Sequence, residues 1–241
     1  MIELKNVTKV YDNNKKAVDS LNLSVNSGEI FGFLGPNGAG KTTTIRMMTG
    51  ILDLTDGQIL INDNDIENNP LETKKCFTLV PDHPEIFDAI SGIDYLNFIA
   101  DIYEVDESLR KERIEKYTKD FGIYKDLNQA ISSYSHGMKQ KLLITGALLP
   151  KPKVLILDEP LGGLDPKSAR SLKDIMKEHC QNGGTVFFSS HVLEVVENLC
   201  DRIGIINEGK LIACGTLDNI KQKSNSSLED IFLELTKDEE A

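Results

Sequence analysis

The sequence predicts an α/β protein: a parallel sheet covered by helices, with antiparallel strands at its amino end and an α-helical segment inserted at residues 86–130. Three observations point to it. Short apolar runs at Val154–Leu157, Thr185–Phe188 and Ile203–Ile206 are separated by helical patterns, the order in which a sheet buried on both faces is built. Glu29–Leu34 is a further apolar run, followed by a glycine-rich turn and a helical pattern from Thr42 to Met48. Leu21, Leu23 and Val25 instead alternate with polar neighbours, which marks a half-buried antiparallel strand.

Local signals place the boundaries. Asn13-Asn14 and Ser27-Gly28 break the first strands, and Gly50 stops the first helix. Ser91 followed three residues later by Asp94 opens a helix, along which Tyr95, Leu96, Phe98, Ile99 and Ile102 fall at helical spacing. The mixed charges from Glu104 to Lys125 read as solvated helix faces. Asn207-Glu208-Gly209-Lys210 is a hairpin turn. Leu228, Ile231, Phe232 and Leu235 then sit on one side of a short amphipathic helix. The expected division is one domain at residues 1–225, carrying the insertion, and an acidic tail at 226–241.

Composition narrows the function classes. Lysine and arginine total 27 against 38 acids, a net charge of −11, with 40 % apolar residues. That balance opposes nucleic acid as a partner, because such binding needs cations to replace counterions along a polyanion. It does not oppose a small anion held locally. No run reaches the roughly 18 apolar residues a bilayer span demands, and the start of the chain lacks a signal-peptide layout. Cys76, Cys180, Cys200 and Cys214 are far apart in sequence, the spacing of reduced thiols.

Gly35-Pro36-Asn37-Gly38-Ala39-Gly40-Lys41-Thr42 satisfies G-x-x-x-x-G-K-[ST] between an expected strand and an expected helix. Glycines let the backbone wrap so that successive N–H groups face phosphate oxygens, and the helix start adds its positive dipole end. Lys41 is then placed to reach the β- and γ-phosphates, Thr42 to ligate Mg²⁺, and Thr43 to add a phosphate contact. Val154–Leu157 ends in Asp158-Glu159. At the carboxyl end of a strand, Asp158 can hold Mg²⁺ and Glu159 can polarise an attacking water.

Ser135-His136-Gly137-Met138-Lys139-Gln140, then Gly163-Leu164-Asp165, then His191 follow in the order and spacing of the ATP-binding cassette (ABC) ATPases. The resemblance runs from Tyr11 to His191. It implies a P-loop NTPase core that binds ATP and Mg²⁺, with Tyr11 stacked on adenine. It also implies that Ser135 and Gly137 form a second anion cradle facing the γ-phosphate held by a second cassette, so that two copies close head to tail around two ATP molecules. Asp165 would lie in the loop crossing that interface, and His191 would contact the γ-phosphate and help place Glu159. The Gly137–Lys141 run resembles cassettes of bacterial ABC-2-type drug, peptide or ion exporters. The implied partner is therefore a separate membrane permease, which holds the chain on the cytoplasmic side of the membrane. The implied docking surface is the groove near Asp82 and Ile86 to Phe98.

Two positions depart from the family pattern. His136 replaces a glycine of the signature, while Ser135 and Gly137 are kept. Asp82 stands after Pro81 where glutamine is usual; an acidic side chain there can still bind metal and take part in catalysis. The alternatives are a regulatory or non-transport ABC ATPase with weak hydrolysis, favoured by His136 and Asp82, and a ribosome- or DNA-directed ABC protein. The second is opposed by a single cassette with no long heptads and no paired cysteines. A GTPase is opposed by the absence of an N-K-x-D element.

Six acids against one base between residues 227 and 241 place −5 of the −11 in the tail and leave −6 for the rest. Two such chains repel without nucleotide, and salt screens the repulsion. ATP-dependent dimerisation is accordingly expected to strengthen modestly with ionic strength, as measured by sedimentation velocity at two salt concentrations. Removing the tail weakens the repulsion unless its apolar stripe forms part of the contact.

Overall fold

Alternating strands open the chain in the computed structural model, which describes residues 1–12, 14–83, 86, 88–222 and 227–235. β1 (Ile2–Val10) and β2 (Lys16–Val25) pair antiparallel, with Ile2 opposite Val25 and Leu4 opposite Leu23. β3 (Ile30–Leu34) is buried throughout, and α1 (Lys41–Met48) begins one residue before the sequence pattern suggests. β4 (Asp56–Ile61) and β5 (Asn64–Asp65) extend the first sheet to the order β2-β1-β4-β5. α2 (Pro70–Lys74) and β6 (Phe77–Val80) follow.

α3 (Gly92–Ile102) and α4 (Glu107–Asp120) stand between β6 and the remaining strands. Ser91 caps α3 by accepting the Asp94 N–H at 3.2 Å, as the Ser-x-x-Asp spacing predicts. The apolar stripe of α3 divides: Tyr95, Leu96 and Ala100 are buried, whereas Phe98 and Ile102 are 46 % and 58 % exposed. α5 (His136–Leu148), β7 (Val154–Leu157), α6 (Pro166–Gln181), β8 (Thr185–Ser190), α7 (Leu193–Leu199), β9 (Arg202–Asn207) and β10 (Lys210–Gly215) complete the second sheet and its helices. Its order is β10-β9-β3-β8-β7-β6, with every pair parallel except the antiparallel β9–β10 pair. The β9–β10 turn has Glu208 at φ 47° and Gly209 at φ 78°, the two positive values that a tight hairpin turn needs.

Period two divides the core. Phe31, Phe33, Ile156 and Phe187 face the cluster shared with β1, β2 and β4, while Leu34, Leu155, Leu157, Val186 and Phe188 face α3, α5 and α6. Phe187 stacks on Phe31 at 5.8 Å between ring centroids. After α8 (Leu217–Gln222), α9 (Leu228–Leu235) buries Leu228 and Ile231 in the chain's own core, so that part of the tail's stripe is already covered. The acids at 238–240 lie outside the described residues.

The end of α7 packs on β3 at Gly32. A Cβ on Gly32 would stand 2.7 Å from Cys200 Sγ and 3.1 Å from Val196 Cγ1. Gly32→Ala is expected to cost about 1–3 kcal/mol through overpacking, and Cys200→Ala in the same chain to recover part of it. Chemical denaturation of the four members of that cycle measures the coupling.

Candidate active site

Backbone crowding shapes the glycine loop. β3 ends at Leu34, and a Cβ on Gly35 would stand 2.4 Å from the Ile206 carbonyl, so β9 runs too close for a side chain. Gly40 precedes α1 at φ 110°, with the Ala17 carbonyl only 2.6 Å from where a Cβ would be. Lys41 is buried and donates to the Gly35 and Pro36 carbonyls at 2.7 and 3.2 Å. The loop thus bends around its own ammonium group, and α1 directs its positive dipole end into the same space.

A cleft of about 820 Å³ opens over the loop, lined by residues 36–43, Tyr11, Asp82, Glu159 and two stretches beyond the motifs. These are Lys15–Ala17 at the start of β2 and Asn207–Gly209 at the β9–β10 turn. The turn is joined to the loop by Gly209 N–H to the Ala39 carbonyl at 2.9 Å. Tyr11 is 43 % exposed at the cleft, with the Lys9 ammonium 5.7 Å from its ring centre. Its face can receive a flat base.

Two carboxylates at the end of β7 are held differently. Asp158 is buried, and burial pushes its carboxyl above the usual range against the hydroxyls of Ser189 and Thr42 bonded to it. Glu159 turns into the left-handed region at φ 47°. Its Oε2 lies 3.0 Å from His191 Nδ1 and its Oε1 lies 3.6 Å from Lys41 Nζ. Asp82 lines the same cleft, half exposed, with His83 Nε2 at 3.6 Å.

Thr42, Asp158 and Asp82 suit Mg²⁺ by their chemistry. Among the described residues no three His, Cys, Asp or Glu side chains form a metal cage. Mg²⁺ does not need one: it keeps several waters and takes one or two carboxylates plus substrate phosphates. A buried carboxylate bonded to the Thr42 hydroxyl at the start of α1 is such a donor set.

Ser135, Gly137 and Asp165 form a second assembly and do not line the cleft. Ser135 caps α5 by accepting the Met138 N–H at 3.3 Å. A Cβ on Gly137 would stand 2.7 Å from the Gly163 carbonyl, so the start of α5 packs directly on the segment leading to Asp165. Asp165 caps α6 through Ser168 N–H at 3.0 Å and meets Lys141 Nζ at 2.6 Å. The Lys141 ammonium and the Ser168 donors hold its carboxyl well below the ordinary range.

Sequence reasoning missed Lys15–Ala17, Lys141 and Ser189 in these assemblies. Ser189 donates to Asp158 Oδ1 at 2.6 Å and accepts the Glu159 N–H at 2.9 Å. The available signal was its place two residues before His191, on the same side of an extended chain.

Known proteins match this arrangement along the whole chain. The family model described as "ABC transporter" matches residues 18–162. The uncharacterised ABC transporter ATP-binding protein YhcH of Bacillus subtilis is 38 % identical over 100 % of this chain and 77 % of its own. The bacitracin transport ATP-binding protein BcrA of Bacillus licheniformis is 36 % identical, covering 95 % of this chain and 74 % of its own. A solved structure of an ATP-binding subunit of an ABC transporter superposes with a TM-score of 0.94 at 30 % identity, covering 98 % of this chain and 100 % of that one. The chain belongs to the ABC transporter family, as an ATP-binding cassette.

Proposed function

We propose that the chain is the Mg²⁺-dependent ATPase subunit of an exporter, working as an ATP-closed pair of cassettes on a separate permease. One observation carries the hydrolytic part: the Glu159 carboxylate stands between Lys41 and His191, at 3.6 and 3.0 Å, one residue from buried Asp158. Loop amides, Lys41 and the α1 dipole neutralise charge on the phosphates as the γ-phosphoryl group departs. Glu159 accepts a hydrogen bond from the attacking water, and His191 keeps that carboxylate turned toward the cleft. Mg²⁺, when bound through Thr42, Asp158 and Asp82, supplies further charge stabilisation at the phosphate oxygens.

Pairing is supported by the distribution of the motif residues. Ser135, Gly137 and Asp165 lie outside the cleft that holds the glycine loop, which agrees with an anion cradle offered to the nucleotide of a second copy. The export reading takes its support from BcrA, which is named for transport of an antibiotic, bacitracin. Phe98, within the stretch proposed to face the permease, and Ile102, one turn further along α3, are exposed. Among the described residues, no helix is long and apolar enough to cross a membrane. On this proposal the groove near Asp82 and Ile86 to Phe98 is the docking surface of a cassette at 1–225 that carries the insertion at 86–130, the permease holds the chain at the cytoplasmic face, and the tail lies at 226–241.

Glu159→Gln is expected to bind ATP, lower kcat by roughly 10²- to 10⁴-fold and accumulate as a dimer. Size-exclusion chromatography with ATP reads the last point; a monomer with intact nucleotide binding counts against the paired mechanism. Lys41→Ala is expected to abolish turnover, and an unchanged rate removes the phosphate-site assignment. Steady-state ATPase rates with and without the copurifying membrane protein test coupling. Rates that stay near zero in both cases favour the regulatory alternative.

A further inference from the structure

We propose that Ser189 is a positioning residue that sets both carboxylates of the site with one hydroxyl; the proposal rests on the ATPase reading above. Ser189 is fully buried near the end of β8. The β7–β8 ladder stops at the pair Leu157 and Phe188, one step before it. Asp158 still gives its N–H to the Val80 carbonyl at 2.8 Å, but Glu159 turns away at φ 47° and its N–H leaves the sheet. Ser189 Oγ accepts that N–H at 2.9 Å.

Direction follows from proton count. A serine hydroxyl has one hydrogen, and a carboxylate oxygen can only accept, so at 2.6 Å the hydrogen lies toward Asp158 Oδ1. The oxygen lone pairs are then free for the Glu159 amide. Alanine does neither, and asparagine or glutamine demand more volume than a fully buried strand position has.

The same strand end fixes Glu159 twice. Ser189 holds its main chain, and His191, two residues on, holds its carboxylate at 3.0 Å. A left-handed glutamate is a sparsely populated conformation that persists only where its surroundings impose it. Losing the hydroxyl therefore releases the backbone of the residue that orients water and leaves a buried Asp158 oxygen with one donor fewer.

The test uses the full chain with Mg²⁺ and ATP, and compares Ser189→Ala with the near-isosteric pair Ser189→Thr and Ser189→Val. Threonine keeps the hydroxyl and valine does not, so any cost of the added methyl is common to both. Ser189→Ala and Ser189→Val are expected to lose roughly 10- to 100-fold in kcat with little change in KM, while Ser189→Thr recovers most of the rate. Amide hydrogen exchange at Glu159 is expected to accelerate about tenfold or more in Ser189→Ala. Equal kcat in the threonine and valine variants, or an unchanged Glu159 exchange rate, overturns the proposal. Absence of ATP turnover in the wild type sinks the ATPase reading instead, and the exchange measurement still decides whether Ser189 holds Glu159.

Discussion

Parallel pairing of β3, β7 and β8 is the constraint on which the site depends. Parallel strands end together, so the chain leaves all three at one edge of the sheet. The register is explicit: Leu34 lies opposite Ser190, and Leu157 opposite Phe188. The glycine loop, the Asp158-Glu159 pair and His191 are each the first residues past, or at, that edge. Residues separated by more than a hundred positions in sequence thereby come within hydrogen-bonding distance, and no long loop has to be ordered to bring them there. The apolar character of these strands is thus a condition for the chemistry as well as for stability.

A second constraint ties the antiparallel sheet to the loop. The Ala17 carbonyl closes on Gly40, and the β9–β10 turn bonds both Ala39 and β2, through Asp19 N–H to the Gly209 carbonyl at 2.9 Å. The start of β2, which shares the cleft with Tyr11, is thus tied to the glycine loop by main-chain contacts. On the proposed reading, a base on Tyr11 and phosphates in the loop would be held by parts of one connected main-chain framework.

The buried strands, the glycine loop and the carboxylate pair were legible because each rests on a local pattern: wholly apolar runs, φ-permissive glycines, or a strand ending in acids. Helix α3 was legible through its Ser91 cap, yet spacing alone did not separate its buried Tyr95 and Leu96 from its exposed Phe98 and Ile102. What stayed hidden depends on tertiary pairing. Ser189 and Ser190 read as the polar end of a strand stopping at Phe188, but pairing with Phe33 and Leu34 carries β8 through both. Lys141 enters the sequence reading only as the last residue of the Gly137–Lys141 run, and its partner Asp165 lies two elements away. Lys15 and Lys16 reach the cleft only because β2 folds across the loop.

The two assemblies within one chain are joined by a short segment. Glu159 begins it under the grip of Ser189 and His191, and Asp165 ends it under the grip of Lys141 and the start of α6. Between them Gly163 lies against Gly137 and the His136 ring, contacts tight enough that a Cβ at either glycine would overlap its neighbour. These contacts lie at the surface, with His136 and Gly163 exposed, and they join the start of α5 directly to the segment between Glu159 and Asp165. On the proposed reading, a shift of the start of α5 on engaging the partner's nucleotide is passed along residues 159–165 to the chain's own Glu159. Each cassette would then sense, through its own backbone, whether the nucleotide across the interface is in place.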